Sequence, residues 1–223
     1  MKTKFLSKAF YPFVLIEGLF FLNLLLDAIF NYLPVNIDNI LRYLSIVCCF
    51  LWALFLMIKI KDTNKLPLLF SLFLVLIADY FLLFTNNPIG IYAFIAVQIT
   101  YQFFISRFRL MLPMFVFAAL FSGTFHLIFY LLGELSNFNL AQLVPASFYY
   151  GCSIFNIFSA WLVFKKKALF KANFLVFLSI ILLLLCDTCI GLSNISTLSV
   201  FISLIWLFYL PSQVLIVTYL YKT

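Results

Sequence analysis

Along this 223-residue chain the apolar positions fall into long, nearly unbroken runs separated by short polar stretches, with little of the two-residue alternation of a half-buried strand. A helix needs roughly 18–25 mainly apolar residues to cross a hydrocarbon core of about 30 Å. The pattern predicts eight such spans, near 10–30, 40–60, 66–85, 89–106, 110–132, 140–164, 171–192 and 197–221. The connections are too short to hold a soluble domain, so the expected fold is all-α, a single eight-helix membrane domain over residues 1–223. Two of the runs are each broken by one carboxylate, Asp79 in LFSLFLVLIADYFLLF and Asp187 in FLSIILLLLCDTCIGL. A charge in hydrocarbon costs about 2.5–3.5 kcal/mol even on the milder insertion scales, so such residues face a protein interior or a wet cavity.

Charge orders the spans, because Lys and Arg accumulate in loops that stay cytoplasmic. Lys2, Lys4 and Lys8 precede the first span, and Lys59, Lys61 and Lys65 follow the second. Arg107 and Arg109 follow the fourth, Lys165, Lys166, Lys167 and Lys171 the sixth, and Lys222 closes the chain. All thirteen lie on one side, and only Arg42 lies on the other. Both termini are therefore expected in the cytoplasm. The net charge of +7 is then a topological signal and a contact with anionic lipid headgroups, and it gives no reason to expect nucleic acid as a partner.

With 66% hydrophobic and 9% charged residues, the composition excludes a soluble domain. The basic start runs straight into a full-length span without a small-residue cleavage site, so the first helix is expected to serve as its own insertion signal. Richness in Phe, Ile, Asn and Lys suggests an AT-rich bacterial genome and hence a bacterial cell membrane. Cys48, Cys49, Cys152, Cys186 and Cys189 all fall inside spans, where a small buried residue is the ordinary expectation. Cys186 and Cys189 flank Asp187 as C-x-x-C, but a metal site would need a second pair or a nearby histidine, so no cofactor is expected.

Sliding the chain by 108 residues sets Ser71, Asp79 and Asn86 on Ser179, Asp187 and Asn194. The same offset matches Asn31 with Asn139, Ser45 with Ser153, Lys59 with Lys167 and Tyr101 with Tyr209. A shift of four spans preserves helix direction, so the chain reads as a parallel repeat of 1–109 and 110–223. Each Asp lies seven residues before its loop Asn, about 10 Å at 1.5 Å per residue, which puts both carboxyls at one depth in the outer half. His126, the only histidine, is at a similar depth in span five, with Asp27 nearer the outer end and Glu17 deeper. On helical periodicity Ser71, Val75 and Asn86 share a face with Asp79, and Ser179, Leu183, Gly191 and Asn194 share one with Asp187. If both stripes line one poorly hydrated cavity, one carboxyl holds a proton while the other is ionised, the parts of general acid/base hydrolysis.

In span three Ala78-Asp79-Tyr80-Phe81-Leu82 follows a G-D-x-x-L pattern, and span four carries Gly90, Ala93, Phe94, Gln98 and Tyr101 on G-x-x-A-F-x-x-A-H-x-x-Y. Cys186-Asp187 stands on S-D in span seven, and Tyr209 and Gln213 fit Y-x-x-x-Q in span eight. In the order and spacing of these motifs the chain resembles the YhhN family of multispan membrane proteins, which includes the eukaryotic lysoplasmalogenases. The resemblance implies hydrolysis of the vinyl ether of a lysoplasmalogen-type lysophospholipid to a fatty aldehyde, without a metal. It makes Asp79 and Asp187 the catalytic groups, with Gln98, Tyr101, Tyr209 and Gln213 near the substrate and His126 a further candidate there. Gln98 stands where the family has His, and Gln can hydrogen-bond a substrate but cannot shuttle a proton.

Plainer readings apply to the same residues. The two Asp could be neutral and hydrogen-bonded across helix interfaces, His126 could be an ordinary interior histidine, and Gln98 and Gln213 could tie helices together. Glu17 and Asp27 are candidate cavity-lining groups. Tyr149, Tyr150, Trp52, Trp161 and Trp206 suit packing or interface positions. Two other function classes use the same features: a small-solute or proton-coupled transporter, and a non-enzymatic lipid-binding membrane protein. Matched Gly or Pro breaks would favour the transporter, and spans three and seven lack them.

Overall fold

The computed structural model describes residues 2–30, 33–85, 88–133, 139–165, 167–195 and 200–222. Among them are eight long α-helices: α1 (Lys2–Phe30), α2 (Val35–Ile60), α3 (Leu66–Phe84), α4 (Ile89–Ser106), α5 (Met111–Leu131), α6 (Leu140–Phe164), α7 (Lys167–Ile195) and α8 (Val200–Lys222). Each contains a stretch long and apolar enough to cross a membrane, with mean hydropathy between 1.3 and 2.6. The chain is thus an all-helical, multi-pass integral membrane protein. α1, α2 and α7 are longer than the predicted spans, while α3 and α5 are shorter by one and two residues. α1 starts at Lys2 and α7 at Lys167 because Lys, Ala and Leu propagate a helix beyond the apolar stretch. α2 starts at Val35 because the polar residues Asn36, Asp38 and Asn39 do not interrupt it.

The helices gather into two compact units. One is Met1–Lys65 with Lys167–Thr223, the other Leu66–Lys166. In the first, α8 packs against α7, α2 and α1, and α1 packs against α2. In the second, α4 packs against α3, α6 and α5, and α5 packs against α6. The central helices are buried accordingly: Leu210, Ser212, Gln213, Ile216 and Leu220 in α8, and Val97, Gln98, Tyr101 and Gln102 in α4. Large aliphatic and aromatic residues such as Leu19, Leu51, Leu112, Leu120 and Phe158 stay exposed, as a lipid-facing surface requires.

Two glycines permit close helix contacts inside the second unit. A Cβ on Gly90 of α4 would lie 2.8 Å from the Ala78 carbonyl oxygen of α3 and 2.5 Å from Leu82 Cγ. A Cβ on Gly151 of α6 would lie 2.9 Å from the Ala118 Cα of α5. Small residues at such crossings let backbones approach where burial from water supplies little drive. Gly90→Val is therefore expected to cost about 2 kcal/mol through overpacking, read as a lower unfolding temperature in detergent, and an unchanged temperature would contradict the close α3–α4 contact.

Candidate functional site

In the second unit Ser71, Val75 and Asp79 form a buried stripe on α3, as the periodicity predicts. Asn86 lies outside the described residues. The Ser71 hydroxyl donates to the Leu68 carbonyl of its own helix at 2.7 Å, which satisfies it locally. Asp79 is 5% exposed and follows Ala78, whose carbonyl oxygen lies against Gly90, so α3 and α4 approach closely beside the carboxyl.

Gln98 and Tyr101, both fully buried, face inward from α4. The Gln98 amide is held by α6: its Nε2 donates to the Tyr149 hydroxyl at 3.2 Å, and its Oε1 accepts from Asn156 Nδ2 at 2.8 Å. Asn156 Nδ2 also reaches the Gln98 backbone carbonyl at 2.9 Å. Gln98 thus takes the helix-tying role weighed for it above. Asn156→Leu is expected to cost about 1 kcal/mol by leaving the Gln98 amide short of a partner, and Gln98→Leu in that background should add little. Additive losses in thermal unfolding would show that the two side chains are not coupled.

His126 is half-buried on α5 and stands apart from that network. Its Nδ1 donates to the Ser122 carbonyl at 2.6 Å, while the Ser122 hydroxyl meets Ser147 of α6 at 2.7 Å. Ser147 and Asn156 are nine residues apart on α6, about 13 Å, so the His126 and Gln98 clusters occupy different levels. His126 Nε2 is buried with no hydrogen-bond partner.

In the first unit Asp187 is half-buried on α7, whereas Ser179 and Leu183 of its stripe are buried. The stripe was expected to continue inward through Gly191, but Gly191 is exposed, with nothing within 4 Å of an added Cβ. The physical reason is rotation: the buried face of α7 runs through Leu183, Cys186 and Cys189, and Gly191, two residues after Cys189, lies about 200° around the helix from it. The Asn194 side chain lies outside the described residues. Ser179 donates to the Ser212 carbonyl of α8 at 2.8 Å, and Gln213 Nε2 donates to the Ser212 hydroxyl at 3.0 Å. Tyr209, 4% exposed, meets Trp206 edge to face at 5.0 Å. The candidate residues therefore form two groups, Asp79, Gln98, Tyr101 and His126 in one unit, and Asp187, Tyr209 and Gln213 in the other.

An ion pair that the sequence reading passed over lies in the first unit. Arg42 Nη2 is 2.5 Å from Asp38 Oδ2 on the same helix, and its guanidinium sits over the Trp206 ring at 5.0 Å. Asp27 Oδ1 accepts from the Leu33 amide at 2.8 Å. The i,i+4 spacing of Asp38 and Arg42 was the available signal. Arg42, the one cation against the charge asymmetry, is thus paired where it stands.

The architecture defines the class, a multi-pass membrane protein with eight helices among its described residues and polar groups buried at helix interfaces. No family model matches the chain, and no curated protein or solved structure is significantly similar to it.

Proposed function

We propose that this protein is a membrane hydrolase that cleaves the vinyl ether of lysoplasmalogen-type lysophospholipids, with Asp79 and Asp187 as its acid/base pair. The observation that carries the reading is a correspondence between the units. Under the 108-residue offset α1 to α4 correspond to α5 to α8, and each packed helix pair of one unit has its counterpart in the other. α3–α4 answers to α7–α8, α4–α6 to α8–α2, α5–α6 to α1–α2, and α4–α5 to α8–α1. Asp79 and Asp187 then hold the same place in one packing scheme, each on the helix partnering its unit's central helix. This supports an internal repeat in which each unit combines one helix pair from either side of the 109/110 boundary.

The chemistry needs two carboxyls with different protonation. A neutral carboxyl transfers its proton to the β-carbon of the enol ether, and the resulting oxocarbenium ion is stabilised by the ionised partner. That partner takes a proton from the attacking water as the new carbon–oxygen bond forms, giving a hemiacetal. Collapse of the hemiacetal releases the fatty aldehyde and the glycerophospho-alcohol. Both termini would lie in the cytoplasm, of a bacterial cell, with the substrate entering from the surrounding lipid. The direct test is to incubate purified protein with a lysoplasmalogen and trap the aldehyde with a hydrazine reagent, using the ester-linked lysophospholipid as control. Absence of aldehyde from folded protein, or equal turnover of the ester lipid, would sink the proposal.

A further inference from the structure

Glu17 is a carboxyl that this mechanism does not use. It lies within a membrane-spanning stretch of α1, 3% exposed, with the Cys49 thiol of α2 set against its carboxyl and no oxygen or nitrogen partner for either of its oxygens. Three ring contacts locate what surrounds it. Phe13 stacks on Trp52 of α2 at 5.6 Å, which sets Glu17, one turn further along α1, level with Cys49, one turn back along antiparallel α2, and the two side chains interact. Phe10 stacks on Tyr221 of α8 at 4.3 Å, and seven residues on from each, Glu17 falls level with Val214 and its neighbour Gln213. Arg42 over Trp206 sets the register of α2 and α8, and seven residues on from that contact Cys49 falls level with Gln213. The three registers close on one layer of the unit.

That layer is short of hydrogen-bond partners in a complementary way. Gln213, fully buried, has an Oε1 without a donor, and Trp52, one turn from Cys49, has a buried Nε1 without an acceptor. A protonated Glu17 offers one O–H donor and one carbonyl acceptor, which are the functions those two groups lack. The ionised form offers only acceptors and brings no donor to the level of the Gln213 oxygen. From α2 the titratable groups beside the carboxyl are the thiols of Cys48 and Cys49. Arg42 is about 10 Å further along α2 and engaged with Asp38, and Lys59 is about 15 Å away in the other direction. α8 carries no charged residue between Val200 and Tyr221. No described cation is placed to balance an ionised Glu17.

We propose that Glu17, with Cys49 and Gln213, forms an intramembrane proton-binding site, separate from the aspartate pair. Its ligand is a proton, and its occupied state is the neutral carboxyl. Infrared spectroscopy of protein reconstituted in lipid reads this directly and independently of any enzymatic activity. A protonated-carboxyl carbonyl band that shifts on exchange into D2O should titrate with pH, and Glu17→Gln should remove it. Gln213→Leu keeps the carboxyl but deletes an acceptor, and should move the band to higher frequency. A wild-type spectrum that matches Glu17→Gln in the carboxyl region at every pH would overturn the assignment. So would loss of the band when sodium replaces choline at fixed pH, since the site would then hold a metal cation.

Discussion

Asp79→Asn and Asp187→Asn, made singly, are each expected to reduce aldehyde release from lysoplasmalogen by at least about 100-fold, the usual worth of a positioned acid or base. Asn keeps the size of Asp and can still hydrogen-bond, but it can neither deliver a proton to the β-carbon nor accept one from water. The design separates this from a packing role. If the carboxyls serve only as neutral partners in a helix interface, the amides replace them and activity persists. The two variants should also differ in stability, because Asp79 is 5% exposed on a buried stripe while Asp187 is half-buried. Unfolding temperature in detergent should respond more to Asp79→Asn, while activity falls in both. Full turnover by either variant would end the two-carboxylate mechanism.

Arg42→Met should give the largest loss of stability, about 3 kcal/mol, by stranding Asp38. The Asp38 side chain is 11% exposed and already has one oxygen without a partner, so removing the guanidinium leaves the carboxylate with no cation. Trp206 simultaneously loses the charge over its ring, a smaller term of about 1 kcal/mol. The double variant Asp38→Asn, Arg42→Met removes both charges and should recover much of the loss. A double variant as unstable as Arg42→Met alone would mean that the guanidinium acts mainly by packing on Trp206.

Apolar run length made the eight helices legible, because a lipid-crossing helix is specified by little more than about 20 apolar residues in sequence. Helix ends were less legible, since Lys2 to Lys8 and Val35 to Asn39 are helical without being apolar. Polar residues within the runs pointed to the interfaces: Asp79, Gln98, Tyr101, Tyr209 and Gln213 are all buried. Which of them meet could not be read, because a helix periodicity gives a face but no partner. Asn156, a lone amide within SIFNIFSA, carries the α4–α6 contact yet matches no motif. Gly191 shows the opposite failure, because the buried face of α7 runs through Cys186 and Cys189 and leaves Gly191 on the far side.

The second unit is one uninterrupted segment, Leu66–Lys166, whereas the first is assembled from the two ends of the chain. During synthesis the segment can close as soon as α6 emerges, but α1 and α2 must wait for α8, more than a hundred residues later. Arg42 is provided for during that interval, because its counter-ion sits on its own helix. Glu17 has no such partner on its own helix, so its layer acquires the Gln213 oxygen only once α8 is made. Truncation after α7 would therefore leave an early helix pair with an uncovered carboxyl, a mark by which membrane quality control could tell unfinished chains from finished ones.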